Sequence, residues 1–158
     1  MEHLSWQRLS LIAGITLVLG WLVTRVALGD GYTPATVPLT LPAICVLGGI
    51  LSLVFAWPVR QFQHGKHPGL DPLRAARAAV FAQASAYAGV LLTAGLVGYA
   101  FGVAGEWDHG PRRDVAISAF IAALGGLALL ACGAIAEHWC RTKPPEDPPA
   151  APASPAAG

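Results

Sequence analysis

The sequence predicts an all-α integral membrane protein: a four-helix transmembrane bundle, up-and-down in order, with both termini cytoplasmic. Three observations predict it. Four apolar segments, at about residues 9–28, 38–57, 78–102 and 115–136, occupy most of the 158-residue chain. As a helix each is long enough to cross a hydrocarbon core of about 30 Å, which takes roughly 20 residues. The charged fraction is 12%, about half the soluble average, against 54% hydrophobic residues. Finally, acids and bases are nearly confined to the ends and connections of those segments. The expected surroundings are therefore a lipid bilayer. A net charge of +1 gives no support to a nucleic-acid partner.

The first segment follows Arg8 and ends near Ala27 and Gly29, so it imitates a cleavable signal peptide. Trp21 and Arg25 stand where a cleavage region prefers small neutral residues, and the apolar run exceeds the usual length. The segment is read as a retained span. Gly29-Asp30-Gly31-Tyr32-Thr33-Pro34 is turn chemistry. Pro38 can occupy the first turn of the second helix, and Pro42 either bends that helix or marks a later start. Pro58 after Trp57 predicts the helix end there.

The second connection is the basic one, with Arg60, Lys66, Arg74 and Arg77 around it. Asp71 is a good N-cap and Pro72 a good first residue, so the third helix is expected from about 72 to 103. The third connection offers Arg112 and Arg113 but offsets them with Glu106, Asp108 and Asp114. Arg141 and Lys143 follow the last span. Because basic residues near span ends stay preferentially on the cytoplasmic side, this distribution places both termini in the cytoplasm of an inner, cytoplasmic membrane. Arg112 and Arg113 oppose the rule locally. Trp6, Trp57, Trp107 and Trp139 near span ends fit interfacial anchoring. The four-span domain is thus residues 1–143, and the Pro/Ala-rich tail 144–158 has a composition that cannot bury a core.

Helices in lipid gain nothing hydrophobic by associating, so close approach depends on small residues one turn apart. Such rows are Thr16, Gly20 and Thr24; Gly48, Ser52 and Ala56; Gly98 and Gly102; Ser118, Ala122 and Gly126. They favour a compact bundle without separating packing inside one chain from packing between chains.

Polar residues at membrane depth are where function usually lies. They are Arg25, Arg77, Gln83, Ser85, Tyr87, Thr93, Tyr99 and Glu137. Arg25 is expected to snorkel near the outer end of the first helix, as an anchor rather than a substrate ligand. Arg77 and Glu137 should lie at similar cytoplasmic depth, where an ion pair could clamp neighbouring third and fourth helices. Gln83 is expected to hydrogen-bond another helix. No acid lies mid-span, which argues against a proton-coupled antiporter of the small multidrug type. Cys45, Cys132 and Cys140 form no Cys-x-x-Cys pair, which argues against a quinone-linked disulfide oxidoreductase. His64 and His67, with His138 and Cys140, match no recognised zinc spacing, so neither metal nor cofactor is expected.

The run Asp71-Pro-Leu-Arg-Ala-Ala-Arg-Ala-Ala-Val-Phe-Ala-Gln-Ala-Ser-Ala-Tyr-Ala-Gly89, with Arg112-Arg113-Asp114 before the last span and Glu137-His-Trp-Cys-Arg-Thr142 at its end, resembles the actinobacterial membrane proteins grouped as domain of unknown function 3180. The Arg25-to-Gly29 ending of the first helix is similar too, and the resemblance extends to Thr142. It implies a four-helix inner-membrane protein of unknown activity whose gene often neighbours those of folate and pantothenate synthesis. Gln83 departs from the lysine common in relatives. The resemblance marks Arg25, Asp71, Arg74, Arg77, Ser85, Gly89, Arg113, Asp114, Glu137, Cys140 and Arg141 as the positions that matter, for folding or for function.

Three functions compete. The first is a non-catalytic accessory or scaffold subunit, not an enzyme, with a membrane protein partner or a homo-oligomeric state. The second is a small-solute carrier or channel component, working as an oligomer with Arg25, Arg77 and Gln83 along its route. The third is an interfacial enzyme using Glu137, His138 and Cys140.

Overall fold

The computed structural model describes residues 6–63, 72–105 and 110–140. They form four helices, α1 (Trp6–Gly29), α2 (Thr40–Gln63), α3 (Pro72–Ala104) and α4 (Gly110–Cys140). All four carry a stretch long and apolar enough to span a bilayer. Their directions alternate. The end where α1 begins and α4 finishes is here called proximal, and the opposite end distal.

Two boundaries differ from the sequence expectation, both at prolines. Pro38 lies before α2, where its carbonyl accepts the Leu41 N–H (3.1 Å), and Pro42 is the third residue of the helix. Pro42 therefore marks a late start rather than a bend, since a proline in a first turn sacrifices no helical bond. Pro58 does not end α2, which runs on to Gln63. A proline interior to a helix leaves the carbonyl four residues earlier, here that of Val54, without its usual donor. Membrane helices tolerate this where neighbours support the backbone. The third helix begins at Pro72 as expected. Its N-cap candidate Asp71 and the tail from Arg141 onward lie outside the described residues.

The end of α1 shows why its turn sequence reads Gly-Asp-Gly. Gly31 is left-handed (φ 84°), its N–H donates to the Leu28 carbonyl, and the Tyr32 N–H donates to the Ala27 carbonyl. This is the Schellman closure, and glycine adopts the required φ without a Cβ clash.

Packing separates the helices into a core pair and two flanks. About 44% of the spanning stretch of α3 and of α4 is buried, against 6% for α1. At backbone level α1 lies against α3 alone, while α2 lies mainly along α4 and touches α3 more lightly. Consecutive helices α1 and α2 are therefore not neighbours, and the segment joining them crosses the distal ends of α3 and α4. Two hydrogen bonds pin that crossing. The Tyr99 hydroxyl of α3 donates to the Ala35 carbonyl (2.8 Å), and the Val37 N–H donates to Ser118 Oγ of α4 (3.1 Å).

The small-residue rows serve these internal seams. Along α1 and α3, a methyl added at Gly20 would stand 2.8 Å from the Gly95 carbonyl oxygen, and one at Gly102 would stand 2.6 Å from Thr24 Cβ. Along α3 and α4, a methyl at Gly133 would stand 2.6 Å from the Ala86 nitrogen, and one at Gly126 would stand 2.8 Å from Thr93 Oγ1. Gly125 meets Pro42 in the same way where α2 begins. Backbones this close gain dispersion along their whole length, which is what drives association in lipid.

Most buried hydroxyls bond inside their own helix. Thr24 donates to the Gly20 carbonyl (2.7 Å), Ser85 to that of Phe81 (2.9 Å) and Thr93 to that of Gly89 (2.7 Å). Thr93 also approaches the Ala123 carbonyl of α4 (3.4 Å). Ser52 is the exception among the described residues, because its fully enclosed hydroxyl oxygen has no partner. A buried polar group left unmatched costs about 1–3 kcal/mol. Ser52→Ala is therefore expected to leave stability unchanged or raise it by about 1 kcal/mol, read as the unfolding midpoint in detergent.

Candidate functional site

The proximal end gathers most of the chemistry-bearing side chains that the structure describes. On α2, Trp57 and Arg60 are three residues apart and so share a face. Trp139 of α4 meets Trp57 edge-to-face, with centroids 6.1 Å apart and planes at 75°. The Arg60 guanidinium lies 4.7 Å from the Trp139 ring and 5.8 Å from that of Trp57. One cation is thus shared by two aromatic faces, each of which attracts it through the ring quadrupole. Trp139 and Cys140 also pack on the buried cluster of Ala56, Ala82 and Ala136, so this box ties α2 and α4 to the core.

The sequence expectation does not contain this box, because Pro58 predicts a helix end. Without a continuing helix, Trp57 and Arg60 share no face. The spacing Trp57-x-x-Arg60 was the available signal, and it needed the helix to pass through Pro58.

Glu137 is buried at 6% exposure, on the same α4 turn as Cys140. His138 is exposed and Cys140 half-buried. Adjacent helical positions diverge by about 100°, so Glu137 and His138 address different surroundings. The three residues of the interfacial-enzyme reading do not converge on one point. Among the described residues no group of three His, Cys, Asp or Glu could hold a metal ion.

Arg77 is exposed and lines a groove of about 620 Å³ between α2 and α3, with Val54, Phe55, Pro58, Val59, Ala78 and Phe81. Phe55 and Phe81 form its aromatic wall, edge-to-face at 5.7 Å. Arg77 thus faces the α2 side of α3.

The remaining candidates are scattered. Gln83 is half-buried on α3, and Ser85 is buried and satisfied by its own helix. Gly89 sits against the Leu130 backbone, so its importance is one of space. Arg113 and Asp114 are exposed at the start of α4. Arg25 is exposed at the distal end, a bundle length from Arg77. Arg74 is placed only by its backbone in the first turn of α3, and Arg141 lies outside the described residues.

Four spanning helices with charge held at the two ends define a multi-pass membrane protein. The family model described as Protein of unknown function (DUF3180) matches residues 9–144, and the chain belongs to that family. Neither the curated proteins nor the solved structures contain a match.

Proposed function

We propose that this protein is a non-catalytic accessory subunit of the cytoplasmic membrane, acting through a membrane protein partner, with both termini in the cytoplasm. The observation that carries the reading is the closure of the central seam. Gly126 against Thr93, Gly89 against Leu130 and Gly133 against Ala86 bring α3 and α4 together at backbone distance, which leaves a solute no path between them. The two arginines assigned to a transport route also stand at opposite ends, each in its own recess. A carrier would have to assemble its path between chains. The flank helix α1, engaged on one side only, leaves most of its surface to lipid or to another protein.

The test is purification of a tagged copy from its native membrane in mild detergent, with the complex weighed and its components identified. A stoichiometric second protein is the expected result. A pure homo-oligomer whose loss abolishes uptake of a metabolite would replace this reading with the carrier. A reporter fused after Thr142 should be cytoplasmic, and an external signal would overturn the orientation.

A further inference from the structure

The groove between α2 and α3 has walls of one chemistry and a mouth of another. The two helices run antiparallel and Phe55 meets Phe81 edge-to-face at 5.7 Å, so four residues nearer the proximal end Val59 stands level with Arg77, and Pro58 with Ala78. The groove therefore descends from Arg77 at its mouth to Val54, Phe55 and Phe81, about one helical turn or roughly 6 Å deeper. It exists because α2 leans mainly on α4, and because Ala78, small and buried, fills little of the space left beside α3. Val54, Phe55 and Phe81 remain exposed, so in a bilayer the groove opens onto lipid.

Depth decides what can occupy it. Arg77 is the second residue of the stretch of α3 that can span a bilayer, which sets its guanidinium at headgroup level with the groove below it in hydrocarbon. Every lining residue other than Arg77 is apolar, so water finds too few polar partners to fill the 620 Å³. Arg60, next to Val59 on α2, lies over the Trp139 ring of α4, and Arg77 is the cation that lines the groove. An amphiphile with an anionic head matches both parts. Its phosphate meets the guanidinium, whose fork suits phosphate oxygens, and its apolar part lies along the aromatic wall. Five N–H donors let a guanidinium serve a phosphate and a protein acceptor together. At about 30 Å³ per water-sized group, the groove holds roughly twenty, enough for the glycerol region and first methylenes of one phospholipid. Basic pockets between spanning helices bind lipid headgroups in this way.

We propose that the α2–α3 groove is a stoichiometric site for one anionic phospholipid, with its phosphate on Arg77 and its upper acyl chain against Phe55 and Phe81. Such a lipid fills the seam that close packing leaves open, and joins α2 to α3 where their own contact is light. The site goes beyond the accessory reading and does not depend on it.

The full chain, delipidated in neutral detergent, is titrated with phosphatidylglycerol and, separately, with phosphatidylcholine, and native mass spectrometry counts the lipids retained. Wild type should retain one phosphatidylglycerol per chain at about tenfold lower concentration than phosphatidylcholine, the worth of one charge-assisted hydrogen bond. Arg77→Gln should erase that preference. Val54→Trp, at an exposed position, keeps the charge but fills the groove, and should lose the retained lipid. Arg25→Gln removes one charge at the opposite end and should behave as wild type. Equal binding of the two lipids by wild type overturns the proposal, and so does a preference unchanged in Arg77→Gln. A preference that survives Val54→Trp reduces Arg77 to a snorkelling cation and overturns the site as well. So does a dimer that excludes lipid, which would assign the groove to a second copy of the chain. Should Arg77→Gln fold poorly by circular dichroism, Arg77→Lys keeps the charge and should retain part of the preference; its complete loss in the folded lysine variant overturns the site.

Discussion

Replacing Gly89 by alanine is expected to destabilise the bundle by about 3 kcal/mol, the upper end of what an overfilled contact costs. Gly89 is buried on α3, and its missing side chain is replaced by the backbone of Leu130, whose Cα would stand 2.7 Å from an added methyl. Backbone cannot swing aside as the end of a long side chain can, so the α3–α4 seam must open along several turns. Gly133 and Gly126 would lose their close contacts in the same displacement. The control is Gly14→Ala on α1, where a methyl meets nothing within 4 Å among the described residues. Alanine there should be neutral or gain up to about 1 kcal/mol through reduced backbone entropy. Equilibrium unfolding of the two variants in mixed micelles checks the pair. Equal stability of Gly89→Ala and wild type would mean that the central seam is open and leaves room for a solute between α3 and α4.

Trp139→Ala should cost about 2–3 kcal/mol, through three losses at once. The edge-to-face pair with Trp57 contributes about 0.5–1.5 kcal/mol beyond its area, and the contact with Arg60 about 0.5–2 kcal/mol. The indole also packs on the small-residue cluster of Ala56, Ala82 and Ala136, beside Leu53 and Cys140. Arg60 has further interactions of its own, so a single Arg60→Ala variant would overstate the cation–π share. A double-mutant cycle between Arg60 and Trp139 isolates it, with a coupling of about 1 kcal/mol expected. A coupling near zero, with the single losses unchanged, would reduce the box to simple packing.

How much of this was legible beforehand differs from residue to residue. Gly20, Gly102 and Gly126 were readable as packing positions from spacing alone, because the i, i+4 period holds in any helix. What spacing leaves open is the partner, since a smooth face serves a neighbour in the same chain as well as one in another. The cation–π box was hidden by Pro58, whose usual meaning in water is a helix end. In lipid the helix continues, because the alternative is several unsatisfied backbone groups rather than one. Arg25 and Arg112 were each visible as isolated anomalies. That they line one recess was not, because they are distant in sequence and belong to helices that do not touch at backbone level.

The sequence by itself determined the class of this protein: four spans, alternating directions, charge held at the ends and interfaces made of small residues. Those features follow from the bilayer, whose thickness sets helix length and whose lack of hydrogen-bonding groups forbids unpaired backbone and isolated charge. Only the tertiary structure decided which helices touch, that α3 and α4 form the core with α1 and α2 as flanks, and that Arg25 lines one recess with Arg112 while Arg77 faces α2. Those outcomes depend on which close contacts can form together, a property of the whole set of helices that no single segment carries.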